Sequence, residues 1–137
     1  MAKVLTLEGL SEFYSQLQSS GLASSGGVDL LWENASPTST FEPQTTSLNG
    51  SLSNYNALLI YICTSRSDYP NWRTPTLVYL PYDSTKEYVA ISMRGTNEGT
   101  RRFTLTDTSV VWAGGYGNTS SASTSLGVPT HVYGIRW

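Results

Sequence analysis

The chain has 137 residues and a mass of 15.0 kDa, enough for one compact core and too few for two full domains. Charged residues make up only 13 %, about half the roughly 25 % of an average soluble domain, so Ser, Thr, Asn, Tyr and Gly must build most of the surface. The net charge is −2 and the basic residues are scattered apart from Arg101 and Arg102, which excludes an extended nucleic-acid-binding surface.

The first segment predicts a short amphipathic helix, because apolar side chains recur every three or four residues and Thr6 is a suitable N-cap. A helix of this length is marginal alone, so its apolar stripe needs a partner, either the rest of the chain or the same helix in other copies. We favour self-association. The predicted oligomerisation and anchoring residues are Leu7, Leu10, Phe13, Tyr14 and Leu17.

A Ser/Gly linker separates this helix from the remainder of the chain. Gly21 suits a helix C-cap, and Ser24-Ser25-Gly26-Gly27 follows it. The sequence therefore predicts an N-terminal arm over residues 1–27 and a β domain over residues 28–137.

Short runs rich in Val, Ile, Leu, Thr, Tyr and Trp follow, separated by turn-forming residues, as in an antiparallel sandwich. Gly95 to Gly99 has the composition of a hairpin connection, and Asn118 to Ser125 that of an exposed loop. The fold class predicted is mainly β, an antiparallel β-sandwich or jelly-roll-like domain with a short N-terminal helix. The predicted strands are Val28 to Trp32, Thr40 to Leu48, Ala57 to Cys63, Thr76 to Tyr82, Tyr88 to Arg94, Arg101 to Leu105, Ser109 to Ala113 and Thr130 to Ile135.

Catalytic and metal-binding motifs are missing from the sequence. Cys63 is the single cysteine and His131 is the single histidine, so the chain can form neither an intramolecular disulfide nor one of the usual zinc sites. We expect Cys63 to be a buried, inert thiol. We expect His131 to lie in a strand and to be hydrogen-bonded. No calcium or phosphate-loop motif is present, and the Gly114 to Gly117 cluster reads as a tight turn. We predict no enzyme activity, no metal and no cofactor.

The N-terminus has no apolar core of a signal peptide, and the longest apolar run, Ala57 to Cys63, is too short to cross a bilayer. We therefore expect synthesis in a cytoplasm without export, and no membrane insertion.

Two loops combine aromatic rings with groups that bind sugar hydroxyls. The first supplies Asp68, Tyr69, Trp72 and Arg73, and the second supplies Tyr116 and Asn118. The alternative for these loops is that Trp72 folds over the core edge and Arg73 pairs locally.

Several segments resemble a β domain found at the C-terminus of tail-fibre and head-fibre proteins of phages that infect Gram-positive bacteria. The resemblance covers about residues 30–137. It rests on Leu31 to Phe41, Gln44 to Leu48, Tyr55 to Tyr61, Arg102 to Leu105, Gly114 to Gly117 and the closing Val128 to Ile135.

The resemblance implies a structural protein on the virion surface, made in the host cytoplasm and assembled as a homo-oligomer, with a trimer favoured. The arm would join it to other virion proteins, and its loops would contact bacterial surface glycan. The alternatives are a capsid head-fibre or decoration protein with a purely structural role, and a glycan-cleaving virion enzyme.

Overall fold

The computed structural model describes Ser11, Glu12 and residues 26–119 and 121–137. The predicted N-terminal helix, with its stripe from Leu7 to Leu17, lies outside the described residues apart from Ser11 and Glu12, as does most of the arm. The first strand starts at Gly27, the last residue of the predicted Ser/Gly linker.

Among the described residues, nine strands form two antiparallel sheets that face each other, which confirms the predicted sandwich class. A 3-10 turn, Leu52–Asn54, precedes the third strand. The strands in chain order are β1 (Gly27–Glu33), β2 (Gln44–Ser47), β3 (Ala57–Ser65), β4 (Arg73–Tyr79), β5 (Tyr88–Arg94), β6 (Asn97–Thr106), β7 (Ser109–Tyr116), β8 (Ala122–Ser123) and β9 (Leu126–Arg136).

The first sheet, sheet A, has the strand order β1-β9-β3-β4, and the second, sheet B, has the order β2-β7-β6-β5 with β8 paired to β7. The C-terminal strand β9 therefore lies in the middle of sheet A, paired with β1 on one side and β3 on the other. A bulge between Leu30 and Trp32 lets consecutive residues of β1, Leu31 and Trp32, both point towards the core.

The core lies between the sheets and is filled from both. Trp112 is at its centre, with ring centroids 6.0 Å from Phe41 and 5.5 Å from Phe103, and its indole N–H donates to Thr46 Oγ1 at 2.9 Å. Such edge-to-face and tilted contacts are the favoured geometry for aromatic rings, and the hydrogen bond satisfies the indole's polar atom. The aliphatic members of the core are Leu31, Leu48, Leu52, Leu58, Ile60, Ile62, Val78, Ala90, Leu105, Val110, Val128 and Val132.

A charged side chain, Arg101, is fully buried at one end of this core. Its guanidinium donates to four carbonyl oxygens, those of Gly127 at 2.9 Å, Phe41 at 3.2 Å, Ala113 at 2.8 Å and Leu126 at 2.9 Å. Burial lowers the pKa of Arg101 to about 10, so the group remains a cation at neutral pH. It joins both sheets and the loop before β2.

Three sequence predictions need correction. The fourth strand begins three residues earlier than predicted and includes Pro75, which is tolerated because β4 is an edge strand. The predicted loop from Asn118 to Ser125 contains the short strand β8. The glycines expected to form a tight turn, from Gly114 onward, lie largely in β7, where small residues allow neighbouring backbone to come close.

Candidate functional site

The connection between β3 and β4 is a tight, internally bonded loop. The amide of Asp68 donates to the carbonyl of Ser65 at 3.1 Å, and the amide of Asn71 donates to the carbonyl of Asp68 at 2.7 Å. The Ser65 hydroxyl also donates to Asp68 Oδ2 at 3.1 Å. These bonds hold the Asp68 carboxylate towards the end of the sandwich, where it meets sheet B.

The Asp68 carboxylate forms an ion pair with Arg94, the last residue of β5, with Nη1 2.8 Å from Oδ1. The Asp68 side chain is only 6 % exposed, whereas the Arg94 side chain is 51 % exposed. The fold therefore holds the Asp68 carboxylate in place, whereas N–H groups of the Arg94 guanidinium remain accessible to solvent.

A two-residue turn, Gly95-Thr96, joins β5 to β6, with Gly95 at φ 59°, so the predicted hairpin is confirmed. Its connection is shorter than the predicted Gly95 to Gly99, because Asn97 to Gly99 belong to β6. Asn118, in the loop after β7, ties this hairpin down: its Oδ1 accepts from the amide of Glu98 at 2.9 Å, and its Nδ2 donates to the carbonyl of Thr96 at 2.7 Å. One N–H and one lone pair of the Asn118 amide stay available for a ligand.

Two glycines bring the sheets close together beneath this region. A Cβ at Gly99 of β6 would lie 2.2 Å from the carbonyl oxygen of Thr64, and one at Gly117 would lie 2.6 Å from the Leu126 side chain. At Gly99 a side chain would meet the backbone of β3, so only glycine allows this approach, and the two sheets converge there to close the base of a cleft.

We name this cleft the end cleft. It has a volume of about 390 Å³ and opens at one end of the sandwich. Its lining mixes a cation, two carboxylates, two primary amides and three hydroxyls, which is a set that matches the hydroxyl groups of a saccharide. It is lined by Thr64, Ser65, Asp68, Arg94, Asn97, Glu98, Gly117, Asn118, Thr119 and Leu126.

Of the six binding residues predicted from the sequence, the end cleft brings together only Asp68 and Asn118. Tyr69 and Arg73 lie elsewhere. The Arg73 guanidinium carbon is 5.3 Å from the ring centroid of Tyr61 and 5.9 Å from that of Tyr69, and Nη1 is 3.2 Å from His131 Nδ1. Arg73 thus pairs locally, as the alternative predicted.

Trp72 and Tyr116 are also outside the cleft lining. The Trp72 side chain is exposed, and its backbone, at φ 52°, is held by a hydrogen bond from Ser92 Oγ to its carbonyl at 2.7 Å. It does not fold over the core edge. The ring of Tyr116 lies beneath the guanidinium of Arg102, whose carbon is 5.1 Å from the centroid.

Sequence reasoning missed Arg94, Asn97 and Glu98 as cleft residues. The available signal was their position at the tip of a predicted hairpin, since hairpin tips are exposed and polar side chains there face the end of a sheet. Which other loop shares that end depends on the pairing of the strands, and the sequence does not specify it.

The two residues singled out as structural have the expected environments. Cys63 is buried, its thiol lies 3.6 Å from the carbonyl oxygen of Asn71, and burial raises the pKa of the thiol to about 11. His131 lies in β9 between Arg73 and Glu33, with Nε2 3.4 Å from Glu33 Oε1. Both predictions are confirmed.

Within the part of the chain that the structure describes, no group of three or more His, Cys, Asp or Glu residues is arranged to hold a metal ion. No helix among those same residues is long and apolar enough to cross a membrane. The predicted anchoring residues, Leu7, Leu10, Phe13, Tyr14 and Leu17, lie outside the described residues.

Comparison with known proteins adds no family to this description. The chain matches no protein-family model and no curated protein.

Proposed function

We propose that this protein is a structural component of a phage virion, on its surface, and that it contacts bacterial surface glycan through the end cleft. The observation that carries the proposal is the cleft itself, an open site of about 390 Å³ in which eight of ten lining residues are polar. The resemblance of residues 30–137 to fibre-protein domains supports the virion setting.

The chemistry of the cleft favours a saccharide over a charged polymer. Arg94 balances Asp68, so the cleft presents no excess of positive charge to bind a phosphate chain. Asn97, Asn118 and Thr119 add neutral donors and acceptors, which bind sugar hydroxyls without a large desolvation cost. The hydroxyls of Thr64 and Ser65 are already hydrogen-bonded within the protein.

We propose a binding function without catalysis. A glycan-cleaving enzyme uses two carboxyl groups on either side of the scissile bond, one of which exchanges a proton with the substrate. In the end cleft, Asp68 is largely buried and already engaged by Arg94 and Ser65. It therefore lacks the open access to substrate that this role needs.

We propose that several copies assemble, with a trimer as the first expectation, and that the arm joins the assembly to other virion proteins. Repeated copies would convert weak single contacts into useful avidity. Sedimentation velocity of the full chain tests the assembly: a mass of three copies is expected, and a monomer at micromolar concentration would contradict it.

A purely structural head-fibre or decoration role is the second candidate, and the local pairing of Arg73 favours it. Arg73 packs over Tyr61 and Tyr69. In the first predicted binding loop, Trp72 is then the main exposed side chain that could contact a ligand. In that case the end cleft would hold no glycan.

The deciding experiment measures binding of the full chain to purified cell-wall polysaccharide from Gram-positive bacteria by biolayer interferometry. The test variant is Glu98→Gln, which keeps the size of the side chain and removes a cleft charge; we expect affinity to fall about tenfold, since hydrogen bonds to charged groups contribute roughly 1.5–3 kcal/mol. Glu87→Gln, an exposed carboxylate outside the cleft lining, is the matched control and should bind as the parent does.

Two results would contradict glycan binding. One is no measurable binding by the parent chain to any wall preparation, which favours the structural role. The other is an equal loss in Glu98→Gln and Glu87→Gln, which would show that the end cleft is not the contact. Release of reducing sugar during the assay would instead indicate an enzyme.

A further inference from the structure

Two adjacent rows on the outer face of sheet A, the face turned away from sheet B, are apolar or aromatic across all four strands, and the next row is polar, with Glu33, His131 and Tyr61. Several side chains of the two apolar rows are well exposed, with Val28 at 63 % and Tyr79 at 71 %. We name this pair of rows the apolar face. It consists of Val28, Leu30, Leu59, Leu77, Tyr79, Tyr133 and Ile135.

Strand register places these side chains in two continuous rows. One row runs Leu30, Tyr133, Leu59, Leu77 from β1 to β4, and the next runs Val28, Ile135, Ala57, Tyr79 across the same four strands. Neither row contains a charged residue. A groove of about 210 Å³ lies between side chains of this face, lined by Val28, Leu59, Tyr61, Arg73 and Tyr133.

The outer face of sheet B does not share this character. Its exposed apolar residues are each opposed by a polar one across the strand pair: Val89 faces Arg102, Ile91 faces Thr100 and Met93 faces Glu98. Isolated apolar side chains are normal on a protein surface, whereas a continuous apolar patch marks a surface that something covers.

We propose that the N-terminal segment, residues 1–25 of the same chain, covers the apolar face with the stripe of Leu7, Leu10, Phe13, Tyr14 and Leu17. This inference does not depend on glycan binding by the end cleft, but it competes with the proposed role of the arm in joining other virion proteins, because the same stripe would already be buried. Its first support is connectivity: the segment leads directly into β1, whose side chains Val28 and Leu30 form one edge of the face.

The length of the N-terminal stripe also matches the width of the apolar face. Leu7 to Leu17, as a helix, is about 16 Å long at 1.5 Å per residue, and three spacings between the four strands of sheet A give about 14 Å. The nine residues between Leu17 and β1, residues 18–26, reach roughly 30 Å when extended, so the stripe can lie across all four strands.

Tethering favours the chain's own segment over a second copy of the sheet. The linked segment is held at an effective concentration in the millimolar range, which another chain matches only at very high protein concentration.

Thiol crosslinking in the full chain tests the proposal. The test variant carries Leu10→Cys and Leu77→Cys; the control carries Leu10→Cys and Val89→Cys, which has matched exposure, 50 % against 46 % for Leu77, on the other sheet. Cys63 stays in place because it is buried and unreactive. With a short bis-maleimide, we expect an intrachain crosslink at least fivefold more abundant in the test variant than in the control.

Two crosslinking results would overturn the proposal. Crosslinked dimers or trimers in place of the intrachain product would show that the stripe packs on another copy, as the sequence alone favours. Equal crosslinking in the test and control variants would show that the segment has no preferred face.

Hydrogen exchange gives a second measurement that does not depend on crosslinker geometry. In the parent, we expect the amides of residues 10–17 to exchange at least tenfold more slowly than in Leu77→Glu, which places a charge in the apolar face. Val89→Glu is the control and should leave their exchange unchanged. Exchange that is fast in the parent, or slow in all three proteins, would contradict docking on this face.

Discussion

Arg101 is a buried cation whose hydrogen bonds go to backbone carbonyls and not to a carboxylate. Strand alternation does contain a signal for this, because Arg101 has the same parity as the buried Phe103 and Leu105. The sequence therefore places the side chain inside. It does not show that four carbonyl oxygens converge there, since they come from segments 12 to 60 residues away in the chain.

Replacing this guanidinium should be among the most costly single changes in the domain. We expect Arg101→Met to lower the free energy of unfolding by about 3 kcal/mol, because several buried carbonyl groups lose their donor at once. Arg102→Met, one residue along the strand, removes an exposed pair with Glu87 and should cost about 0.5 kcal/mol. Urea unfolding followed by Trp fluorescence distinguishes the two; equal losses would contradict a structural role for the buried cation.

Asp29 should make the stability of the domain depend on pH in the acidic range. Hydrogen bonds from Arg136 and from the Tyr55 hydroxyl, at 2.8 Å, hold the pKa of Asp29 below its ordinary value of 3.8. A carboxyl with a lowered pKa stabilises the fold above the unfolded-state value, and this contribution is lost as the pH falls through the folded-state value.

The parent should therefore be more stable than Asp29→Asn at pH 7, and the difference should shrink as the pH is lowered to about 3. Urea midpoints measured across this range check the prediction. Glu87→Gln, whose pairing with Arg102 spans 3.7 Å in solvent, serves as the control and should show little difference at either pH. A gap for Asp29→Asn that is constant with pH would be the contrary result.

At the scale of elements, the positions of the strands were largely predictable from the sequence. Which side of each strand faces the core was not. The apolar residues of β5, Val89, Ile91 and Met93, alternate as a half-buried strand should, yet the structure exposes them and buries Ala90 and Ser92. Small residues are needed inside because β5 lies at the edge of sheet B, against β3 and β4. Hydrophobicity alone predicts the period of a strand but not which face meets the core.

The close approach of β6 to β3 gives an element-scale prediction. A Cβ on Gly99 would stand 2.2 Å from a backbone oxygen of β3, so Gly99→Ala must push the two sheets apart. We expect a loss of about 3 kcal/mol, at the upper end for overpacking. Gly114→Ala, where the nearest atom is the Ala122 methyl at 3.5 Å, should be tolerated. Thermal melts of both variants make the comparison; a similar melting temperature for the two would argue against the tight contact.

At the scale of the whole molecule, the sandwich class followed from composition and periodicity. The end cleft did not, because its lining comes from the β3–β4 loop, the β5–β6 hairpin and the segment after β7. Asp68 and Asn118 were identified by residue type, and Arg94 and Glu98 were missed, since only the pairing of strands places these four side chains together. Local patterns carry no information on such pairing.

Truncation tests how the domain is held together. A chain ending before Leu126 loses β9, the strand that joins β1 to β3, and should show no cooperative unfolding transition. Removing residues 1–25 leaves every strand intact and should retain one. Far-ultraviolet circular dichroism with urea unfolding compares the two; a folded domain without β9 would contradict the central place of that strand.

The position of β9 also affects how the protein is made. Synthesis proceeds from the N-terminus, so β1 and β3 are both translated well before the strand that must lie between them. Until β9 leaves the ribosome, the facing edges of β1 and β3 lack their partner, and unpaired strand edges promote aggregation. Sheet A is therefore completed only after β9 has left the ribosome, when every strand of sheet B is already available for pairing.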